Sequence, residues 1–390
     1  MFDNLVDGFK KNIRAPILYK LREIDWYRRW SQLPSNDITN IGDFLSARKP
    51  NDASTCKQIH QPHTIKVKRP SNKANLHPVF ERMPVFESPA TFVARLRDCR
   101  FFGRGVAVVT PDQQVLSDVT IHIGGTVREH TIMRLFKMPL LENLEGTTAI
   151  LSCPGGNTYY HWLFDLLPRL KLIQLAGRNL DEIDRFVVNS VRSSFQKDTL
   201  KLAGIDDARV IQSDRARYFL CEDMILPSYP GITLHPLKWV CDYLVETLLP
   251  KTPSENVPTA PKLYIPRRNV PRRRILNQDE LESFLLKRGF KTFDPAEYTV
   301  PQQARAFNQA DVIVAPHGSG LSNLVFCKPG TTVIELFPPS VMPLCYWILS
   351  SQMDLNYYYH IGTESSGSNK RSDFAIDLAE LTRLIKEAGI

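Results

Sequence analysis

Between residues 262 and 337, short apolar β-rich runs alternate with capped helical stretches, and nothing else in the chain narrows the fold as much. Residues 262–265, 290–293, 311–315 and 332–337 supply the runs, and the last two are almost uninterrupted by polar side chains. Strands written this way are covered on both faces, as in a parallel sheet. Between the runs, Asn277 with Glu280 and Thr299 with Gln302 have the spacing of an N-cap and its reciprocal side chain. They predict helices ending near residues 288 and 309. Alternation of this kind predicts a doubly wound α/β sheet. Asp377 with Glu380 repeats the spacing and opens a last helix that ends near Ala388 and Gly389.

Upstream, residues 250–261 carry four prolines in twelve positions and read as a linker. Residues 91–250 form a second α/β unit. It has a hairpin of 106–110 and 115–120 around Pro111 to Gln114, strands at 149–152, 186–191, 209–212 and 224–227, and helices over 159–175, 195–203 and 236–249. The organisation expected is therefore a poorly patterned N-terminal extension (1–90), an N-terminal α/β domain (91–250), a C-terminal Rossmann-like domain (262–365) and a C-terminal helix (366–390).

The net charge is +8, from 49 Lys and Arg against 41 Asp and Glu. Such an excess suits a nucleotide diphosphate, a polyanionic glycan or a membrane surface. No zinc-finger spacing or RNA-binding consensus occurs, so nucleic acid is not an expected partner. The seven cysteines are widely spaced with no C-x-x-C, which argues against a disulfide framework and a structural zinc site. Reduced thiols fit a cytoplasmic location. The first 30 residues mix apolar positions, Phe2, Leu5, Phe9, Ile13, Ile17, Leu21, Trp26 and Trp30, with seven basic ones. This pattern fits a helix packed on its own domain, or one lying at the inner face of the cytoplasmic membrane.

Three motifs carry chemistry. Ala315-Pro316-His317-Gly318-Ser319-Gly320-Leu321-Ser322-Asn323 follows a strand directly. In a parallel sheet that loop faces the ligand crevice. Gly318 and Gly320 let backbone N–H groups approach a diphosphate, and a following helix start adds partial positive charge. A nucleophile elbow around Ser319 would need glycines where His317 and Leu321 stand, so a hydrolase reading fails.

The second motif places His161, Asp165 and Arg169 at i, i+4 and i+8, a base, an acid and a cation on one helix face. Trp162 lies on the neighbouring stripe, and Asn157 sits in the turn before the helix. Pro168 should kink this helix. The same spacing also fits an Asp165–Arg169 pair that only steadies the helix.

The third motif is Arg267 and Arg268 after a strand, then Arg272, Arg273 and Arg274. Guanidinium forks match diphosphate oxygens, while Arg268 and Arg272 read as solvated. Glu335, near the end of another strand, is placed to accept from ribose hydroxyls. No D-x-D occurs, so no local carboxylate pair holds a metal-bound diphosphate, and arginines and helix dipoles must meet its charge.

These motifs together resemble glycosyltransferase family 61, in its bacterial capsular-polysaccharide branch, over about residues 90–360. The resemblance implies a GT-B-like fold, two Rossmann-like domains facing a cleft, with metal-independent transfer and inversion at the anomeric carbon. It assigns the donor to the C-terminal domain, at Arg267, His317, Gly318 and Glu335, with Arg273, Ser319, Gly320 and Asn323 beside them. It puts the acceptor near His161 and Asp165, with Trp162, Arg169 and Asn157. Members commonly carry Ala where Ser319 stands and Glu where Gln278 stands.

The expected function is transfer of a sugar from a nucleotide-sugar donor to a hydroxyl acceptor, a glycan of surface or capsular polysaccharide. Asp165 is the base with His161 orienting it, or the reverse, and no cofactor is called for. The rival is a non-catalytic nucleotide-sugar- or glycan-binding protein.

Overall fold

A computed structural model describes residues 20–49, 52–73, 76–103, 105–121, 125–213, 217–249, 259–268, 270, 272–364 and 373–390. Two sheets organise them. The first contains β1 (Thr91–Phe102), β2 (Leu141–Ile150), β3 (Arg185–Val188), β4 (Val210–Gln212) and β5 (Tyr218–Pro227). In space β4-β3-β2-β5 run parallel, and β1 lies antiparallel on β5. Taken by chain position the parallel four read 3-2-1-4, the order that opens a doubly wound dinucleotide fold. The second sheet contains β6 (Lys262–Tyr264), β7 (Lys291–Thr292), β8 (Val312–Pro316), β9 (Thr332–Phe337) and β10 (Asn356–Ile361). It is wholly parallel in the order β7-β6-β8-β9-β10. By chain position that is 2-1-3-4-5, whose order reverses between β6 and β8.

The period of two explains why the apolar runs of β8 and β9 are continuous. Ile313, Ala315, Val333 and Phe337 enter one apolar cluster, and Val312, Val314, Ile334 and Leu336 enter another on the opposite face. Helices Gln278–Leu286 and Leu378–Glu387 cover the outer face. On the inner face, Val300–Gln309, Ser319–Phe326 and Cys345–Gln352 meet Pro168–Leu175, Ser194–Leu202 and Lys238–Leu248 from the first unit. The two sheets thus share one helical layer and one continuous apolar cluster.

Several local expectations need correction. The described residues between 20 and 90 carry more elements than the poorly patterned extension expected of them. Ile38–Thr39 and Thr55–His60 are edge strands of the first sheet, and Val67, Phe80 and Phe86 enter the shared core. The chain then lies along the second sheet. Ser71 N–H donates to Tyr357 O at 2.7 Å, Tyr359 N–H to Asn72 Oδ1 at 3.1 Å, and Trp347 Nε1–H to Lys68 O at 2.7 Å. Their partners are distant in sequence, so no local pattern marks them. Asn277 stands at the helix N-cap without capping it. Its side chain instead bonds Ile376, accepting from N–H and donating to O at 2.9 Å each. The Thr299–Gln302 capping box and the Asp377 cap are both present. So is the hairpin, through Val109 against Val115. Phe2, Leu5, Phe9, Ile13 and Ile17 of the N-terminal apolar–basic pattern, and residues 250–258 of the linker, lie outside the described residues.

Candidate active site

A cleft of about 380 Å³ opens at the carboxyl ends of β6 and β8, where the strand order of the second sheet reverses. Such a switch point is where open α/β sheets take their ligands. Arg267 follows β6 and Gly318 to Gly320 follow β8, while Tyr159 and Phe195 reach it from the first unit. Arg267 lies over Gly318. A Cβ added there would stand 2.5 Å from Arg267 Nη1, so a side chain at this position would push the guanidinium aside. Gly318 is extended, with φ −177° and ψ 166°, and caps a 3-10 helix, Ser319–Phe326, where a helix start was expected. Ser319 is exposed at its first turn.

Arg267 makes no ion pair or hydrogen bond with the described residues, and its Nε is buried without a partner. Burial and the neighbouring Arg273 both lower its pKa from the usual guanidinium value. Among the described residues no anion answers this cation. Arg273 itself is held at φ 58°, a left-handed conformation uncommon for a side chain of its size. The other arginines divide. Arg268 pairs with Glu282 and Arg274 with Asp373, each at 2.5 Å, so Arg268 is not simply solvated, while Arg272 is exposed.

Behind the cleft, His317 Nδ1 meets Glu335 Oε1 at 2.5 Å, and Tyr357 Oη donates to Glu335 Oε2 at 2.6 Å. Glu335 shares the inner face of β9 with Val333 and Phe337 and is fully buried. A carboxylate there must be satisfied within the protein. Both of its oxygens are engaged, so it stands behind His317 instead of facing a ribose. Because a carboxylate accepts, Nδ1 carries the proton and Nε2 is the remaining polar atom of the His317 ring. Asn323 is also fully buried: it accepts from Tyr159 Oη at 2.8 Å and donates to Gln303 Oε1 at 2.8 Å and Gly320 O at 3.2 Å. It ties the loop to the first unit. Gln278 donates to Tyr264 Oη at 2.7 Å.

The second group lies beyond the carboxyl end of β2. Pro168 has no N–H and its ring would press on the carbonyl four residues back. The helix answers with a π turn, Trp162–Leu166, in which Leu167 N–H donates to Trp162 O at 3.0 Å. His161 and Asp165 stay together, Nδ1 to Oδ2 at 2.6 Å. Arg169 does not join them, because one extra residue in the turn rotates everything after it by roughly 100°. It is fully buried and donates to Ser152 O at 2.7 Å and Pro227 O at 2.5 Å, tying together the ends of β2 and β5. Trp162 is fully buried too, its Nε1–H on Thr199 Oγ1 at 2.8 Å. Asn157 is exposed in the preceding turn. Gly155, at φ +76°, packs its Cα on the His161 ring, where an added Cβ would come within 2.6 Å.

Thr233, which the motifs did not point to, donates to Asp165 Oδ2 at 2.8 Å and lies 3.4 Å from His161 Nδ1. The two groups are joined by aromatic rings. Centroids step from His161 to Tyr160 at 5.4 Å, Tyr160 to Tyr346 at 5.9 Å, and Tyr346 to His317 at 5.2 Å. Burial raises the pKa values of both tyrosines well above the usual phenol range, so they remain neutral. Among the described residues no group of three His, Cys, Asp or Glu side chains gathers to hold a metal, and no helix is long and apolar enough to cross a membrane.

The chain is similar to plant proteins. Beta-1,2-xylosyltransferase XYXT1 of Oryza sativa subsp. japonica is 33% identical over 254 residues, 58% of this chain and 54% of the relative. The chain thus spans about half the length of that protein. A beta-1,2-xylosyltransferase of Arabidopsis thaliana is 26% identical over 95 residues, 24% of this chain and 17% of its own. These relatives carry xylosyltransferase names, not those of capsular-polysaccharide enzymes. The stretch that holds both histidines, Asp165, Arg267 and the glycine loop, residues 159–334, matches the Glycosyltransferase 61 family.

Proposed function

We propose that this protein transfers a sugar from a nucleotide-sugar donor to a hydroxyl of a glycan acceptor. The observation that carries the reading is Arg267, a half-buried guanidinium with no anionic partner among the described residues, beside Arg273 and over Gly318 at the switch point of a parallel sheet. A diphosphate would supply the missing charge. The plant xylosyltransferase relatives favour a pentose as the sugar.

The chemistry proposed is direct displacement. The acceptor oxygen bonds to the anomeric carbon as the bond from that carbon to the diphosphate oxygen breaks, with inversion. The hydroxyl proton passes to His161 Nε2, while Asp165 holds Nδ1–H, and Arg267 and the loop N–H groups take the negative charge on the leaving diphosphate. Geometry favours His161 over Asp165 as base. Asp165 Oδ2 is already engaged by His161 and Thr233, whereas no hydrogen bond occupies His161 Nε2 among the described residues.

Release of nucleoside diphosphate from a panel of pentose and hexose donors, with and without hydroxyl acceptors and in excess chelator, tests the reading. Acceptor-dependent release that survives the chelator is expected. Thermal stabilisation by a nucleotide sugar with no release under any condition would leave a binding protein instead. No stabilisation by any nucleotide would remove the donor site.

A further inference from the structure

An apolar patch stands at the amino ends of β2 and β5. Trp26 and Trp30 lie one turn apart on helix Asp25–Ser31 and are 64% and 55% exposed, and Leu140, directly before β2, is 87% exposed. Helix and loop form one surface. Tyr27 Oη donates to Phe136 O at 2.7 Å, Met138 N–H donates to Ser31 O at 2.8 Å, and Tyr27, Ile132, Met133 and Met138 fill a small core beneath. Lys137 Nζ lies 4.6 Å from the Trp30 ring centroid. Lys20, Arg29, Arg134 and Lys137 are exposed at the fringe. Of the acids there, Glu23, Asp25 and Glu142, Asp25 pairs with Arg28 at 2.5 Å and Glu142 with Arg217 at 2.6 Å.

We propose that this patch docks the protein onto an anionic phospholipid surface. Tryptophan rings favour the boundary between water and lipid. Apolar insertion and a basic fringe hold weakly alone and firmly together. A second copy of the chain fits less well, because a symmetric contact would set the basic fringe against itself. The location also leaves the active site open: Leu140 precedes β2, whereas His161 and Asp165 follow it, so the two lie at opposite ends of the sheet.

Sedimentation of the full chain with vesicles tests the proposal, using phosphatidylcholine alone and phosphatidylcholine mixed with phosphatidylserine. Binding to the mixed vesicles only, weakened by salt, is expected. Trp26→Ser/Trp30→Ser and Arg29→Glu/Lys137→Glu should each lower it by about tenfold or more, with the melting temperature unchanged because these side chains are exposed. Equal binding to both vesicle types, binding to neither, or binding that survives the tryptophan pair would overturn it. So would a dimer that the tryptophan pair converts to monomer in sedimentation velocity, since the patch would then serve a second copy.

Discussion

Two histidine–carboxylate pairs stand at the carboxyl ends of the two sheets, with nearly the same contact and different surroundings. His161 and Asp165 are 22% and 12% exposed at their side chains, lie four residues apart, and share Thr233. His317 and Glu335 are 9% and 0% exposed, come from neighbouring strands, and share Tyr357. The first pair keeps an accessible ring, as the proposed proton transfer requires. The second is buried behind the cleft, where its carboxylate orients the ring and supports the loop that carries Gly318. The same two side-chain types thus stand in different surroundings, and the variable that separates them is access.

The comparison can be broken most sharply at the first pair. His161→Ala should lower turnover by about 10²–10⁴-fold with donor affinity kept, as for loss of a positioned base. Asp165→Asn should cost less, and if it proves the more damaging change, the base and its orienting partner must be exchanged. Next in size, Arg267→Ala should weaken nucleoside diphosphate binding by roughly 1.5–3 kcal/mol, the worth of a charge-assisted bond. Unchanged affinity by calorimetry would take Arg267 out of the donor site.

Glu335→Ala should act on the fold. It leaves buried His317 and Tyr357 polar atoms unpaired, at about 1–3 kcal/mol in denaturant melts, with turnover per folded molecule reduced far less than by His161→Ala. An equal loss of turnover would erase the distinction between the pairs. The smallest effect is expected from Thr233→Val, which removes one hydrogen bond to Asp165, worth about 0.5–1.5 kcal/mol. It should lower kcat and leave KM for the donor alone, and Thr233→Ser should restore it. A fall in melting temperature with kcat intact would make Thr233 a structural residue only.

How much of the site could be read in advance follows the range of each interaction. His161 and Asp165 were legible because a spacing of four brings side chains together on a helix, and the π turn leaves that spacing in contact. The same spacing carried one turn further points Arg169 to that face, but past Pro168 the period changes and the side chain turns inward. Arg267 and the glycine loop were legible because strand ends of a parallel sheet point to its crevice. Thr233 was not, being 68 residues from Asp165 in a loop without periodicity. The run of three tyrosines from Tyr357 to Tyr359 is visible in the sequence. Its meaning depended on β10 pairing with β9, which brings the Tyr357 hydroxyl to Glu335.

The chain's own pattern determined that this is an α/β protein with parallel, doubly covered strands, because hydrophobic periodicity and capping spacing act over a few residues. It determined the candidate residues for the same reason. Tertiary structure alone decided which of them reach a cleft. Strand order placed Arg267 beside Gly318, the shared helical layer buried Trp162, Arg169 and Asn323, and the pairing of β9 with β8 on one side and β10 on the other set Glu335 between His317 and Tyr357. Burial and partner choice are set by contacts between residues tens to hundreds of positions apart, and a local pattern carries no term for them.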